Sequence, residues 1–125
     1  MSIDVSLADL GARIDQRGPD AYLVTVRDTR PHVVAVSVAM RGTVLVVAPG
    51  RRTGRNIEDR PLVTLLWPVG PAHPHHSLLV DGTARMSADG EWLEITPTSA
   101  VLHRAGGRRR RLAENPPDAD GNGGQ

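Results

Sequence analysis

Three arginines and a threonine crowd the stretch Ala48-Pro49-Gly50-Arg51-Arg52-Thr53-Gly54-Arg55-Asn56. Pro49-Gly50 ends an apolar strand-like run, and the polar segment that follows, closed by Pro61, has helical or turn character. Where a strand runs into a helix, the first helical N–H groups lack acceptors, and guanidinium forks at the same place add charged donors. The chemistry available there is capture of a phosphate-like anion. The same residues also suit a solvated loop whose arginines only cover surface, and the spacing matches neither a Walker loop nor a dinucleotide fingerprint.

Other chemically capable residues are sparser. His73-Pro74-His75-His76 offers imidazoles, but a proline separates His73 from His75 and no carboxylate or cysteine accompanies them, so no metal site is expected. Trp67 and Trp92 could stack on a ring, but such residues more often fill a core or an interface. With 0 Cys there is neither a disulfide framework nor a cysteine nucleophile. No acid, base or nucleophile is assigned a catalytic role.

The elements that must position these residues follow from periodicity. Ser6 ahead of Leu7, Leu10 and Ile14, with Asp9 as a capping-box partner, predicts a short helix ending at Gly18-Pro19. Alternation then predicts a strand over 22–27, a turn at Asp28-Thr29-Arg30-Pro31 and a strand from His32 to Met40 whose even positions are bulky and odd positions small. After the Arg41-Gly42 turn a third strand covers 43–48, and after the short helical segment of 51–60 a continuous apolar strand, expected to be buried on both sides, covers 62–67. Strands over 77–86, with Gly82 marking a bulge or close approach, and 92–103, bent at Pro97, complete the set. Six short strands with tight turns and one short helical insert argue for an antiparallel barrel.

One domain, residues 1–105, accounts for the 125-residue chain. Its core has to be aliphatic, because aromatic residues make up 2% of the chain and Phe is absent; so thin a core gains from burying a further face, and a homodimer is expected. A net charge of +1 is no global polyanion signature, although all 15 basic residues are arginine. Residues 106–125, with Arg108-Arg109-Arg110-Arg111 before a Pro, Asp, Gly and Asn-rich end, are expected to be disordered; nucleic-acid and membrane binding are not. No signal peptide or membrane span is visible, so a cytoplasmic location is expected.

The run from Arg30-Pro31-His32-Val33-Val34 through Gly42-Thr43-Val44-Leu45-Val46-Val47, then from Arg51-Arg52-Thr53-Gly54-Arg55-Asn56 to Pro61-Leu62-Val63-Thr64-Leu65, resembles the central stretch of the flavin-binding split-barrel superfamily. That superfamily includes pyridoxamine-phosphate oxidase and the actinobacterial deazaflavin-dependent reductases, and the resemblance covers about residues 6 to 103. It implies a mainly β, six-stranded split barrel and a flavin-type oxidoreductase passing hydride between FMN or coenzyme F420 and a small-molecule substrate. A non-catalytic flavin-binding module and a cofactor-free dimeric barrel stay open as alternatives. By position, the resemblance puts Arg51, Arg52 and Thr53 on the cofactor phosphate, with Arg55 nearby. The same resemblance implies that Val34, Val36, Ser37 and Val47 line the ring and that His76 and Ser77 reach the ring or ribityl chain across the dimer interface. Thr53 stands where Lys is common and Val47 where Thr is common, and the Trp and Arg segment that closes true pyridoxamine-phosphate oxidases is missing.

Because the segment from 108 to 125 has no core to contribute, its deletion is expected to leave thermal midpoint and ligand affinity nearly unchanged. Calorimetry and ligand titration of the truncated chain check this, and a large loss in either would show a structural role.

Overall fold

A computed structural model describes residues 2–104; the expected tail of 106–125 lies outside the described residues. The strands are β1 (Ser2–Val5), β2 (Asp20–Arg27), β3 (Arg30–Ser37), β4 (Ala39–Arg41), β5 (Val44–Val47), β6 (Leu62–Trp67), β7 (His76–Met86) and β8 (Leu93–Arg104). Helix α1 is Leu10–Arg17, preceded by a 3-10 turn, Leu7–Asp9, and helix α2 is Arg51–Asp59. The Ser6 hydroxyl accepts from the Asp9 N–H at 3.3 Å and donates to the Asp9 carboxylate at 3.0 Å, the cap that the sequence predicts. Gly18, at φ 85°, ends the helix in the left-handed region.

All strands join one antiparallel sheet in the order β3-β2-β6-β7-β8-β5-β4, with β1 paired to β8. The two ends of that path, β3 and β4, are consecutive in the chain and separated only by Val38. One residue spans a few ångströms, so the sheet has to curl back on itself at this corner. Val38 is buried there, and its N–H donates to the Pro19 carbonyl at 2.8 Å.

Among the described residues the strand count is therefore eight rather than six. The run from His32 to Met40 breaks at Val38 because its two halves pair with different strands, β2 and β5. The additional N-terminal strand arises because Ser2–Val5 adds to the half of β8 that β5 leaves unpaired.

Leucine and valine fill the interior, with Leu23, Leu45, Leu65, Leu78, Leu93 and Ile95 fully buried. Trp67 joins them, its indole N–H donating to the Gly18 carbonyl at 2.9 Å. On β6, Val63, Leu65 and Trp67 point inward, whereas Leu62 is 72% exposed. The expectation that this strand is buried on both sides thus fails, because among the described residues no element covers the outer face. Tyr22 and Val33 are exposed large residues on the same outer side of the sheet.

The register between β7 and β8 shifts between Asp81 and Gly82, so β8 runs through Pro97 without ending. A Cβ on Gly82 would lie 2.7 Å from the Thr96 carbonyl oxygen and 2.8 Å from Ile95 Cγ2. Backbone cannot yield as a side-chain tip can. Gly82→Ala is expected to cost about 1–3 kcal/mol of stability, the usual range for overpacking, as measured by urea unfolding.

Candidate functional site

The corner at Val38 sets where the barrel opens. From Val38 the chain forms β4, returns as β5, and then enters α2 through Ala48-Pro49-Gly50, which faces the free edge of β3. A cavity of about 280 Å³ lies in this seam. Its strand wall includes His32, Val34 and Val36, and its opposite wall is Ala48 with Gly50, Arg51, Arg52 and Thr53. The even, bulky face of β3 is thus the one turned to the cavity and the core.

Helix α2 begins after Gly50, which supplies no side-chain cap. The Gly54 N–H is the first to find an intrahelical acceptor, the Gly50 carbonyl at 3.0 Å, so the N–H groups of Arg51, Arg52 and Thr53 precede the ladder. Thr53 is only 2% exposed, lines the cavity, and its hydroxyl has no hydrogen-bond partner among the described residues. Buried hydroxyls are nearly always bonded, so this one suits an external acceptor.

Two further cavities continue the opening. One of about 480 Å³ lies over the β2–β3 hairpin and includes Arg27, Arg30, His32 and Arg52. The other, about 560 Å³, flanks α2 with Arg27, Arg55, Asn56 and Arg60, and the acids at its rim are Asp28 and Asp59. Arg27 and Arg30 are direct cross-strand partners, an arrangement that like charges disfavour. The Arg85–Glu94 ion pair, at 3.1 Å, lies elsewhere and does not engage these arginines.

Of the residues singled out from the sequence, Val34, Val36, Arg51, Arg52 and Thr53 meet around the seam cavity, and Arg55 lines the cavity on the flank of α2. Val47 is fully buried in the core, and Ser37 is exposed at the end of β3, opposite Asp20. His76 and Ser77 begin β7, where they pair with Arg104 and His103; β2 and β6 separate them from β3. One chain does not bring this pair to the seam.

The His-rich loop has its own role. His73 Nε2 lies 3.0 Å from the Gln16 carbonyl, fastening the loop to α1, and among the described residues no three metal-ligating side chains converge. Of the two tryptophans, Trp67 is core, and Trp92 stacks under Arg41, whose guanidinium carbon is 5.6 Å from the ring centre.

Residues not singled out from the sequence complete the site. Asn56 donates to the Thr25 hydroxyl at 3.0 Å, and both side chains are buried. Thr25 Oγ1 lies 3.5 Å from His32 Nδ1. The alternation of β3 already puts His32 on the same face as Val34 and Val36, which was the available signal.

No family model matches the sequence. The uncharacterized protein Mb0449c of Mycobacterium bovis is 40% identical over 103 residues, covering 69% of this chain and 71% of the relative, and MT0457 of Mycobacterium tuberculosis matches equally. Among solved structures, a Listeria innocua protein assigned as a pyridoxamine 5'-phosphate oxidase superposes with TM-score 0.64 at 15% identity, covering 80% of this chain and 100% of that one. An FAD-binding protein of Mesorhizobium loti gives 0.61 at 16% identity over 82% of this chain and 96% of its own. An F420 reductase gives 0.56 at 24% identity over 68% and 91%. At these identities the likeness to solved structures is one of fold.

At the start of β7, partial burial and the positive charges of Arg104, His75 and Arg17 hold the His76 imidazole below its ordinary pKa of 6.5. The unfolded chain then takes up this proton first, and stability falls as the pH drops below 6.5. His76→Gln is expected to flatten the fall in thermal midpoint between about pH 7 and pH 5, as followed by circular dichroism. An unchanged slope would assign the acid loss to other groups.

Proposed function

The chain belongs to the family of the mycobacterial proteins Mb0449c and MT0457 and has the split-barrel fold of the pyridoxamine-phosphate-oxidase-like proteins, and from that premise we propose that it is an oxidoreductase holding FMN or coenzyme F420 in the barrel seam. The observation that carries the reading is the seam cavity itself: a free strand edge on one side, and on the other a helix start with two arginines and a buried, unpartnered hydroxyl.

The two walls suit two parts of one molecule. Alternate N–H and C=O groups of β3 face away from β2 and form a row of donors and acceptors, the pattern that a heterocyclic ring edge with alternating N–H and C=O groups complements. Val34 and Val36 supply an apolar wall for the ring. The N–H groups at the start of α2, the Thr53 hydroxyl and the guanidinium groups of Arg51 and Arg52 would hold a phosphate. When bound, such a ring supplies hydride transfer to or from a small molecule; the protein binds and orients it and excludes water on the barrel side.

A homodimer is part of this proposal. Leu62, Val33 and Tyr22 leave an apolar outer face that a second copy would cover, and a second copy would be required for His76 and Ser77 to approach the seam. The expected absorbance of the purified protein is a flavin or deazaflavin band, and a reductase assay then separates an enzyme from an inert carrier.

Arg52→Ala is expected to raise the FMN dissociation constant about tenfold to a hundredfold, as for loss of a charge-assisted hydrogen bond. Arg52→Lys should restore part of the loss, because an ammonium keeps the charge without the planar fork. Riboflavin affinity should hardly change. Equal losses for FMN and riboflavin in fluorescence titrations would mean that Arg52 supports the fold instead of reading phosphate.

A further inference from the structure

His32 and Arg52 are the two side chains shared by the seam cavity and the hairpin cavity. Any ligand extending from one to the other passes between them. Arg52 has an evident function toward an anion, whereas His32 acquires one from what lies behind it.

Thr25 is fully buried and sits directly opposite His32 across the β2–β3 ladder, so their side chains share one face. The Asn56 amide nitrogen can only donate, so at 3.0 Å the Thr25 oxygen accepts from it. A buried hydroxyl must still place its own proton, and the acceptor in reach among the described residues is His32 Nδ1, at 3.5 Å. A neutral imidazole that accepts at Nδ1 carries its proton on Nε2. With Nδ1 turned to buried Thr25, the half-exposed edge of the ring that lines the two cavities is the one carrying Nε2.

We propose that the buried Asn56–Thr25 chain holds His32 as its Nε2–H tautomer and that this N–H, beside Arg52, donates to the anionic group of the bound ligand. The inference deepens the cofactor reading, on which the identity of the anion as a cofactor phosphate rests. Thr25 and Asn56 are positioning residues that act through His32. Asn56 also ties His32 to α2, the helix that carries Arg52, so the imidazole and the guanidinium are placed by one element.

The test starts on ligand-free protein. Long-range 1H–15N correlation spectra near pH 8, with His32 assigned by its loss in His32→Gln, should show an unprotonated Nδ1 and a protonated Nε2. Thr25→Val, which keeps shape and removes the hydroxyl, should give a mixed tautomer, and Thr25→Ser should keep the wild-type pattern. A dominant Nδ1–H form in the wild type, or no change in Thr25→Val, overturns the proposal. Titration with inorganic phosphate should shift the His32 Nε2 resonance, and Thr25→Val and His32→Phe should each weaken phosphate about three- to tenfold, the scale of one hydrogen bond. Unfolding curves identify any variant that fails to fold, and Thr25→Ser preserves the comparison in that case. Because neither readout uses a flavin, a protein that binds no flavin but shows both effects would refute the cofactor reading alone. Flavin binding with neither effect would refute the role of His32 alone.

Discussion

The corner at Val38 is the constraint from which the site follows. One buried residue, held by its N–H to Pro19, takes the chain from one end of the strand order to the other, and the sheet must close around a core of leucine, valine and isoleucine. Closure is incomplete, because beyond the corner β3 stays with β2 while the chain turns away into β4 and β5. The backbone groups on the free side of β3 are left without a neighbouring strand. An edge of that kind is a liability unless it is covered, and here the segment from Ala48 to Thr53 approaches it while leaving a cavity between. The opening is a consequence of how the barrel closes, and it needs no separate insertion to build it.

Helix α2 turns this opening into a site with a defined chemistry. Its composition is poor for an isolated helix: nine residues, with Gly54 inside and no side-chain cap. Tertiary contacts therefore have to hold it, and the residues that do so are Ile57, buried in the core, and Asn56, bonded to Thr25. Those inward residues orient the rest. Thr53 reaches the cavity, Arg51 and Arg52 stand at the helix start, and Arg55 lies on the flank. An apolar contact and one buried hydrogen bond thus determine where several positive charges point.

Much of this frame was legible in the sequence, because it depends on local signals. The Ser6 cap, the hairpin that turns at Asp28-Thr29, the short helix after Pro49-Gly50 and the close approach at Gly82 each follow from residue types a few positions apart. What depends on distant partners was not legible. Ser2–Val5 is a strand only because β8 offers it an edge, and the break at Val38 is hidden by an alternation that continues on both sides of it. Position alone also could not tell that Val47 faces the core, since β5 has buried residues at Leu45, Val46 and Val47 in succession. The arginines and Thr53 were visible from their crowding, but His32 was read as one member of a bulky face and of the resembling run, with no site role. Its link to Thr25 and Asn56 joins two strands and a helix, and only the tertiary fold brings them together.

The charge distribution carries the same distinction between composition and placement. A chain of net charge +1 has almost no field at long range, and salt screens what there is within about 10 Å. Within that distance the picture changes, because Arg27, Arg30, Arg52, Arg55 and Arg60 all border two adjoining cavities, with Asp28 and Asp59 as the acids on their rims. Arg27 and Arg30 even face each other across a tight turn. No ion pair among the described residues engages these arginines, so beyond the two rim acids their repulsion is relieved by solvent ions or by a bound anion. Selectivity then has to come from groups that charge alone does not supply: the fixed N–H donors of α2, the buried Thr53 hydroxyl and an imidazole whose tautomer is set from behind. On the proposed reading, charge would draw an anion to the opening and these oriented donors would determine which anion stays.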